Sequence, residues 1–386
     1  MIRSVVVLTI IALLVLYLRN RLVRDTRLTG WKKWLALAGI AVIAAPIIIV
    51  TILRAGGPPT IAGWLAWPTY IGQALLMLTF GALLVSDIVR LVVWGTRKSM
   101  KSPPIDHARR EALARITGGV VVTAVAAHVG YGVTRALGDA EVVSVPITLK
   151  RLPAAMDGFT IVQLSDVHVG GTIKKDFIEE MVARTNALNP DVIALTGDFV
   201  DGSVANLAND ISPLGKLRAT HGVYFVTGNH EYYAGADAWC AHLTSLGIRV
   251  LRNERVTIEK NGAAFDLAGV DDHSAAGHTP GHGMDLAKAV EGRDPSRALV
   301  LLAHQPRQVH VAKKHGVDLQ LSGHTHGGQV WPWHYIVSIQ QGGLLAGRYD
   351  LGATQLYVSR GAGYWGPPVR VGAPPEITRV ILRAAA

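Results

Sequence analysis

The chain has 386 residues, 49% hydrophobic and only 17% charged, with mean hydropathy +0.29; that balance excludes a wholly water-exposed fold and calls for membrane segments. Its net charge of +10 lies entirely in residues 1–141, which hold 16 Lys and Arg against 6 Asp and Glu. Residues 142–386 hold 22 of each, so that half has no bulk positive field to draw in a nucleic acid, and none is expected as a partner.

Residues 5–18 are almost all apolar, close to the lower limit for crossing a bilayer. The main basic cluster follows this run and no small-residue cleavage site appears, which argues against a signal peptide. A second run covers 34–53, with Pro46 tolerated inside a membrane helix. A third covers 61–86, followed by Asp87 and Arg90, three apart and expected to pair. A fourth, 116–133, is Gly-rich and carries His128, read as a packing residue.

Arg19, Arg21, Arg24, Arg27, Lys32 and Lys33 lie between the first two runs, and Arg97, Lys98, Lys101, Arg109, Arg110 and Arg115 between the last two. The connection 54–60 has one basic residue and a Gly-Gly-Pro-Pro turn. The positive-inside rule puts both basic loops in the cytoplasm and everything after Val133 outside it. The expectation is a multi-pass cell-membrane protein with an anchor in 1–141 and an extracytoplasmic domain in 142–386. Arg109-Arg110 with Leu113 faintly resembles a twin-arginine export signal, but ordinary cytoplasmic charge accounts for it.

After a mixed linker over 134–141 the pattern changes to short apolar runs. An edge strand is expected at 142–149, and strands at 159–164, 192–195, 223–226, 248–251, 256–259, 264–270, 298–302, 317–321, 356–359 and 377–382. The 256–259 and 264–270 strands are joined by an Asn261-Gly262 hairpin turn. Helical spacing marks 176–188 and 236–246, the second closed by Gly247 and carrying the single cysteine, Cys240, on one face.

Five of these strands end in clusters of ligating side chains, expected in register on one sheet edge. They are Asp166 and His168; Asp198 and Asp201 after Gly197; Asn229, His230 and Glu231 after Gly228; His304; and His324 and His326 after Gly323. In α/β sheets, sites form at the carboxyl ends of strands. Residues i and i+2 of an extended segment share a side, so both histidines of Gly-His-Thr-His can reach one centre. Glycines 197, 228 and 323 are expected to let the chain turn sharply. Asp166, His168, Asp198, Asn229, His304, His324 and His326 form a mixed oxygen and imidazole set without thiolate, suited to Mn, Fe or Zn. Seven ligands exceed one tetrahedral ion and match two divalent ions sharing a carboxylate, an arrangement that can hold a bridging hydroxide for attack on a phosphoester. Asp271, Asp272 and His273 are read as a nearby loop, and His278, His282 and His310 as surface residues.

Asp-x-His, Gly-Asp-x-x-Asp, Gly-Asn-His-Glu, a lone His and Gly-His-x-His, in that order, resemble the calcineurin-like metallophosphoesterase superfamily over roughly residues 145–386. The resemblance implies an α/β fold, a two-sheet αββα sandwich, here preceded by a four-helix transmembrane region. It also implies that Asp166, His168 and His326 bind one metal, Asp198 bridges, and Asn229, His304 and His324 bind the other. His230 would act on the phosphoryl or leaving-group oxygen, with Asp201 and Glu231 orienting histidines. His326-Gly-Gly-Gln329 and Tyr357-Val-Ser-Arg-Gly361 look like the bacterial membrane-linked branch, whose members act on phospholipids or UDP-diacylglucosamine. A lipid-linked or envelope phosphodiester or pyrophosphate is therefore the expected substrate, and Trp331, Trp333, Tyr364 and Trp365 are candidate contacts to lipid. A soluble phosphoester, or a non-catalytic metal- or lipid-binding membrane sensor, is the competing reading.

Overall fold

The computed structural model describes residues 2–56, 63–103 and 106–385. They form two compact units: 1–134 with 366–369, and 135–365 with 370–386.

The first unit is helical. α1 (Ile2–Arg19) runs into a π-helical turn, Asn20–Arg24, and is followed by α2 (Gly30–Gly56), α3 (Gly63–Ser99) and α4 (His107–Leu137). All four helices are long and apolar enough to cross a membrane. Each outruns the apolar stretch that marks it in the sequence. Arg, Lys and Leu are good helix formers, so the helices continue past the hydrophobic run into charged turns. The expected Gly-Gly-Pro-Pro turn, and the start of the third run at Ile61, lie outside the described residues. Many large apolar side chains on these helices face outward, among them Leu13, Val42, Ile88 and Val122. A Cβ at Gly72 would run into the Ile43 carbonyl, so glycine there sets how closely α2 and α3 approach. Asp87 does not pair with Arg90. It accepts from Tyr17 Oη of α1 at 2.6 Å and from Arg21 Nε of the π-helical turn at 2.9 Å, because that arginine's fork gives better geometry than a neighbour on the same helix.

The second unit holds twelve strands: β1 (Glu141–Leu149), β2 (Thr160–Leu164), β3 (Val192–Leu195), β4 (Val223–Phe225), β5 (Arg249–Val250), β6 (Glu254–Lys260), β7 (Ala263–Gly269), β8 (Leu299–Leu302), β9 (Leu319–Ser322), β10 (Gly347–Asp350), β11 (Gln355–Val358) and β12 (Glu376–Ala384). They make two six-stranded sheets, in the orders β1-β12-β2-β3-β4-β5 and β10-β11-β9-β8-β7-β6. β1 is an edge, as its alternation predicts. The linker is shorter than expected, since α4 runs to Leu137 and β1 starts at Glu141. The Asn261-Gly262 turn has φ of 54° and 76°, the left-handed pair that a two-residue hairpin needs.

Strand alternation sorts the core into layers. Ile161, Val192, Val300, Leu302, Leu319 and Leu321 point between the sheets, with Phe159 edge-on to Phe265 at 5.1 Å. Val162, Leu164, Ile193 and Leu195 point to the opposite face of the first sheet. There they meet Ile178 and Met181 of α5 (Lys175–Ala187), Leu207 of α6 (Val204–Ile211) and Trp239 of the Ala236–Ser245 helix. Leu299 and Leu301 meet Leu286, Ala289 and Ala312 on the far face of the second sheet. The result is the four-layer αββα sandwich. Cys240 is buried in the Ala236–Ser245 helix.

Candidate metal centre

Parallel pairing of β2, β3 and β4 aligns Leu164 with Leu195 and Leu195 with Phe225, so the three following loops leave the sheet at one level. Leu302 opposite Leu321 does the same for β8 and β9. The five clusters therefore come from two sheets, three from the first and two from the second, and not from one sheet edge. Hydrophobic periodicity shows where strands lie but not which of them pair.

The loops are tied to one another through the candidate ligands. His324 N donates to Asp166 Oδ1 at 2.8 Å, and His230 N to Asp198 Oδ1 at 2.9 Å. His168 Nδ1 faces Asp201 Oδ1 at 2.9 Å, and His304 Nδ1 donates to the Thr196 carbonyl at 2.7 Å, which turns both Nε2 atoms inward. Asp166, His168 and His326 present ligand atoms within 4.8 Å of one another, and so do Asp198, His304 and His324. His168, Asp198 and His230 form a third such group. Asp198 Oδ2 lies 3.1 Å from His304 Nε2 and 3.9 Å from His168 Nε2, between the two sides.

This set fits a pair of divalent cations. Asp166 Oδ2, Asn229 Oδ1 and His324 Nδ1 are buried with no hydrogen-bond partner among the described residues, a costly arrangement for polar atoms that a cation would satisfy. Burial, with help from the charge of Asp198, holds the Asp166 carboxyl above its usual range. Burial opposes ionisation of Asp198 as well, but His304, His230 and His168 outweigh it and keep that carboxylate well below its usual value. Burial works against the His304 imidazolium, yet Asp198 and Asp166 hold it well above normal; a charge of that sign is what two facing carboxylates demand. Burial pushes His324 down to about 3 and His326 well below normal, leaving both neutral, the state in which imidazole ligates. His326 Nε2 faces His168 Nε2 at 3.0 Å while Arg370 Nη2 donates to its Nδ1 at 3.1 Å. Arg370 can only donate, so His326 Nδ1 accepts and the proton of the neutral ring lies on Nε2, toward His168.

His230 is oriented separately. Its Nδ1 lies 2.6 Å from Asp201 Oδ1, so one carboxylate holds both His168 and His230. Burial lowers the His230 imidazolium, but its hydrogen bond to the Asp201 carboxylate and the charges of Asp198, Asp201 and Glu231 carry it up to about 9.

Backbone geometry adds something the sequence does not show. Asp166, His168, Asp198, His324 and His326 all have φ between 51° and 72°, a region that non-glycine residues rarely occupy. Strain is thus concentrated on the candidate ligands themselves. Of the three glycines expected to supply sharp turns, only Gly197 has positive φ, at 86°. Gly228 and Gly323 are needed for close approach instead. A Cβ on Gly228 would strike the Asp198 carboxylate, and one on Gly323 would strike Ser165 Oγ and Asp166 Oδ2.

Glu231 does not orient a histidine. Its buried carboxylate accepts the backbone N–H groups of Gly228, Asp198 and Phe199 at 2.7, 2.9 and 2.8 Å and so locks two ligand loops together. Glu231→Gln would place an amide donor against those donors. The expected cost is about 2 kcal/mol or more of unfolding free energy, read by denaturant titration, with Glu231→Asp less damaging.

Arg370, fully buried, was not legible in the sequence. It donates to the carbonyls of Gly363, His326 and Ala373 as well as to His326 Nδ1, and burial brings its guanidinium down to about 9. Its acceptors are mostly backbone carbonyls, which leave no side-chain pattern to read. Of the four aromatic residues expected at lipid, Tyr364 is instead buried in the core, 3% exposed, whereas Trp331 and Trp365 are more than half exposed and Trp333 is half-buried. Trp365 and Tyr233 flank the His230 ring at 6.0 and 5.0 Å. Asp271 pairs with Arg252 at 2.8 Å and Asp272 accepts from Gln305 at 3.1 Å, and neither falls among the groups of candidate ligand atoms. His273, His278 and His310 are exposed, but His282 is half-buried against Arg252 Nη2 at 2.8 Å, because the 271–285 loop folds back on that arginine.

Residues 159–328 match the calcineurin-like phosphoesterase family. A bovine (Bos taurus) transmembrane protein with metallophosphoesterase domain is 37% identical over 368 residues, which cover 92% of this chain and 81% of that protein. An uncharacterized metallophosphoesterase of Helicobacter pylori is 36% identical over 308 residues, 78% of this chain and 81% of its own length. A dimetal phosphatase of Danio rerio of known structure superposes with TM-score 0.35 at 13% identity, covering 57% of this chain and 91% of that one. With its ligand-bearing loops and apolar helices, this chain belongs to the calcineurin-like phosphoesterase family of metal-dependent phosphoesterases.

Proposed function

We propose that this protein hydrolyses a phosphodiester or pyrophosphate bond of a lipid-linked or envelope substrate, with residues 1–141 as membrane anchor and 142–386 as an extracytoplasmic catalytic domain. The position of Asp198 between two groups of ligand atoms carries the reading. Asp166, His168 and His326 would hold one divalent ion and Asn229, His304 and His324 the other, with Asp198 placed to serve both. Such a pair polarises phosphoryl oxygens and makes water nucleophilic at neutral pH.

The protein's own groups then set the course of the reaction. Asp201 fixes the His230 ring through Nδ1 and leaves Nε2–H free to donate to the departing oxygen. Glu231 and the tight glycines keep the ligand loops from spreading. Trp365 and Tyr233 form an apolar wall beside His230 that suits a lipid-linked leaving group.

The test is the detergent-solubilised full chain, loaded with Mn, Fe or Zn and assayed on lipid pyrophosphates, phospholipids, nucleotides and an aryl phosphodiester. Two ions per chain and a kcat/KM for lipid-linked substrates at least about tenfold above soluble ones are expected. Equal turnover of soluble esters would remove the lipid-linked reading and leave the phosphoesterase intact. For orientation, a reporter at Ala386 that is active only in the cytoplasm should stay silent; activity there overturns the extracytoplasmic placement.

A further inference from the structure

We infer that the helical unit carries its own binding site for an anionic phospholipid headgroup, separate from the metal centre. The inference rests on the membrane reading of the four helices. A cavity of about 1160 Å³ opens between residues 21–27 of the π-helical turn and the segment after it, the last turns of α3 and the start of α4. Seven Lys and Arg side chains line it against two carboxylates, Asp25 and Glu111.

Both carboxylates are already taken. Asp25 accepts from Arg21 at 2.6 Å and lies 3.5 Å from Arg24, and Glu111 pairs with Arg115 at 2.6 Å and Arg27 at 3.8 Å. Arg90, half-buried, and Arg110 make no side-chain ion pair or hydrogen bond among the described residues. A half-buried guanidinium without a counter-charge is costly and marks an anion site.

The position along the helix points to the bilayer interface. Arg90 lies 27 residues after the start of α3 at Gly63, or about 40 Å at 1.5 Å per residue, which is beyond a hydrocarbon core of about 30 Å. Trp94, with Lys98 Nζ 5.1 Å from its ring centre, sits one turn further along, as an interfacial anchor does. A phosphate-bearing headgroup is the anion available at that depth, and basic pockets between membrane helices take such headgroups. A second cavity of about 770 Å³ shares Arg27 with the first and is walled by Leu35, Ile40, Ile43 and Val122, which leaves room for an acyl chain. Free phosphate would need the basic cavity alone.

Full-length protein in detergent is titrated with phosphatidylglycerol, phosphatidylcholine or inorganic phosphate and read by native mass spectrometry. Phosphatidylglycerol should be retained at least about tenfold over phosphatidylcholine, and Arg90→Gln/Arg110→Gln should weaken retention about 10- to 30-fold. Lys33→Gln/Lys101→Gln, which removes the same charge outside the cavity, should leave retention unchanged. If the double variant does not fold, Arg110→Gln alone, at an exposed position, should cost about fivefold. Equal retention of the two lipids, an equal fall in the control, or displacement of phosphatidylglycerol by equimolar phosphate each overturns the inference. Because the readout is headgroup binding, none of these outcomes bears on hydrolysis at the metal centre.

Discussion

Asp198→Asn is expected to lower kcat on an aryl phosphodiester by at least about 10³-fold and to reduce the bound metal from two ions per chain to one or fewer. The carboxylate lies 3.1 Å from His304 Nε2 on one side and 3.9 Å from His168 Nε2 on the other, and its Oδ1 also accepts from His230 N. An amide keeps the shape and one acceptor oxygen but loses the charge that lets one group serve two cations. The chain should still fold, because the amide can keep the bond to His230 N. Elemental analysis beside the kinetics separates the cases. Two tightly held ions in an inactive Asp198→Asn protein would mean that Asp198 serves the chemistry and not the metals.

His230→Ala has the opposite signature. Metal content should be unchanged, while kcat falls about 10²- to 10⁴-fold, the range for losing a positioned general acid. The loss should be larger for alkyl leaving groups than for nitrophenolate, which departs without a proton. His230 also falls within 4.8 Å of His168 and Asp198 ligand atoms, so a role as ligand is geometrically open. Loss of an ion from His230→Ala, or an equal fall for both leaving groups, would assign it to the metal. Asp201→Asn should reproduce part of the effect, because Asp201 orients the ring without touching substrate.

The legible and illegible parts of this protein differ in kind. Apolar runs marked β2, β3 and β8, and an alternating run marked β9, to within a residue or two; both faces of these strands are buried, so most positions are apolar, and the polar exceptions Gln163, Gln320 and Ser322 are buried and hydrogen-bonded. The candidate ligand types were readable because five clusters of Asp, His and Asn each follow a strand; any one alone would pass for a helix cap or a turn, and the set singles them out. The partner of Asp87, the work of Glu231 and the presence of Arg370 were not readable, because each depends on groups that are distant in sequence or belong to the backbone.

The sequence by itself determined the long apolar helices and the inventory of candidate ligands, because these follow from hydrophobic period and from short motifs that act locally; the αββα class came with the resemblance that the ordered motifs carry. Only the tertiary structure decided that the candidate ligands come from two sheets, that five of them sit at positive φ, that Gly228 and Gly323 answer to close approach, and that Arg90 and Arg110, unpaired among the described residues, line a cavity among the helices. Those facts arise when segments far apart in the chain are forced into contact, and no local pattern encodes the distance at which they meet.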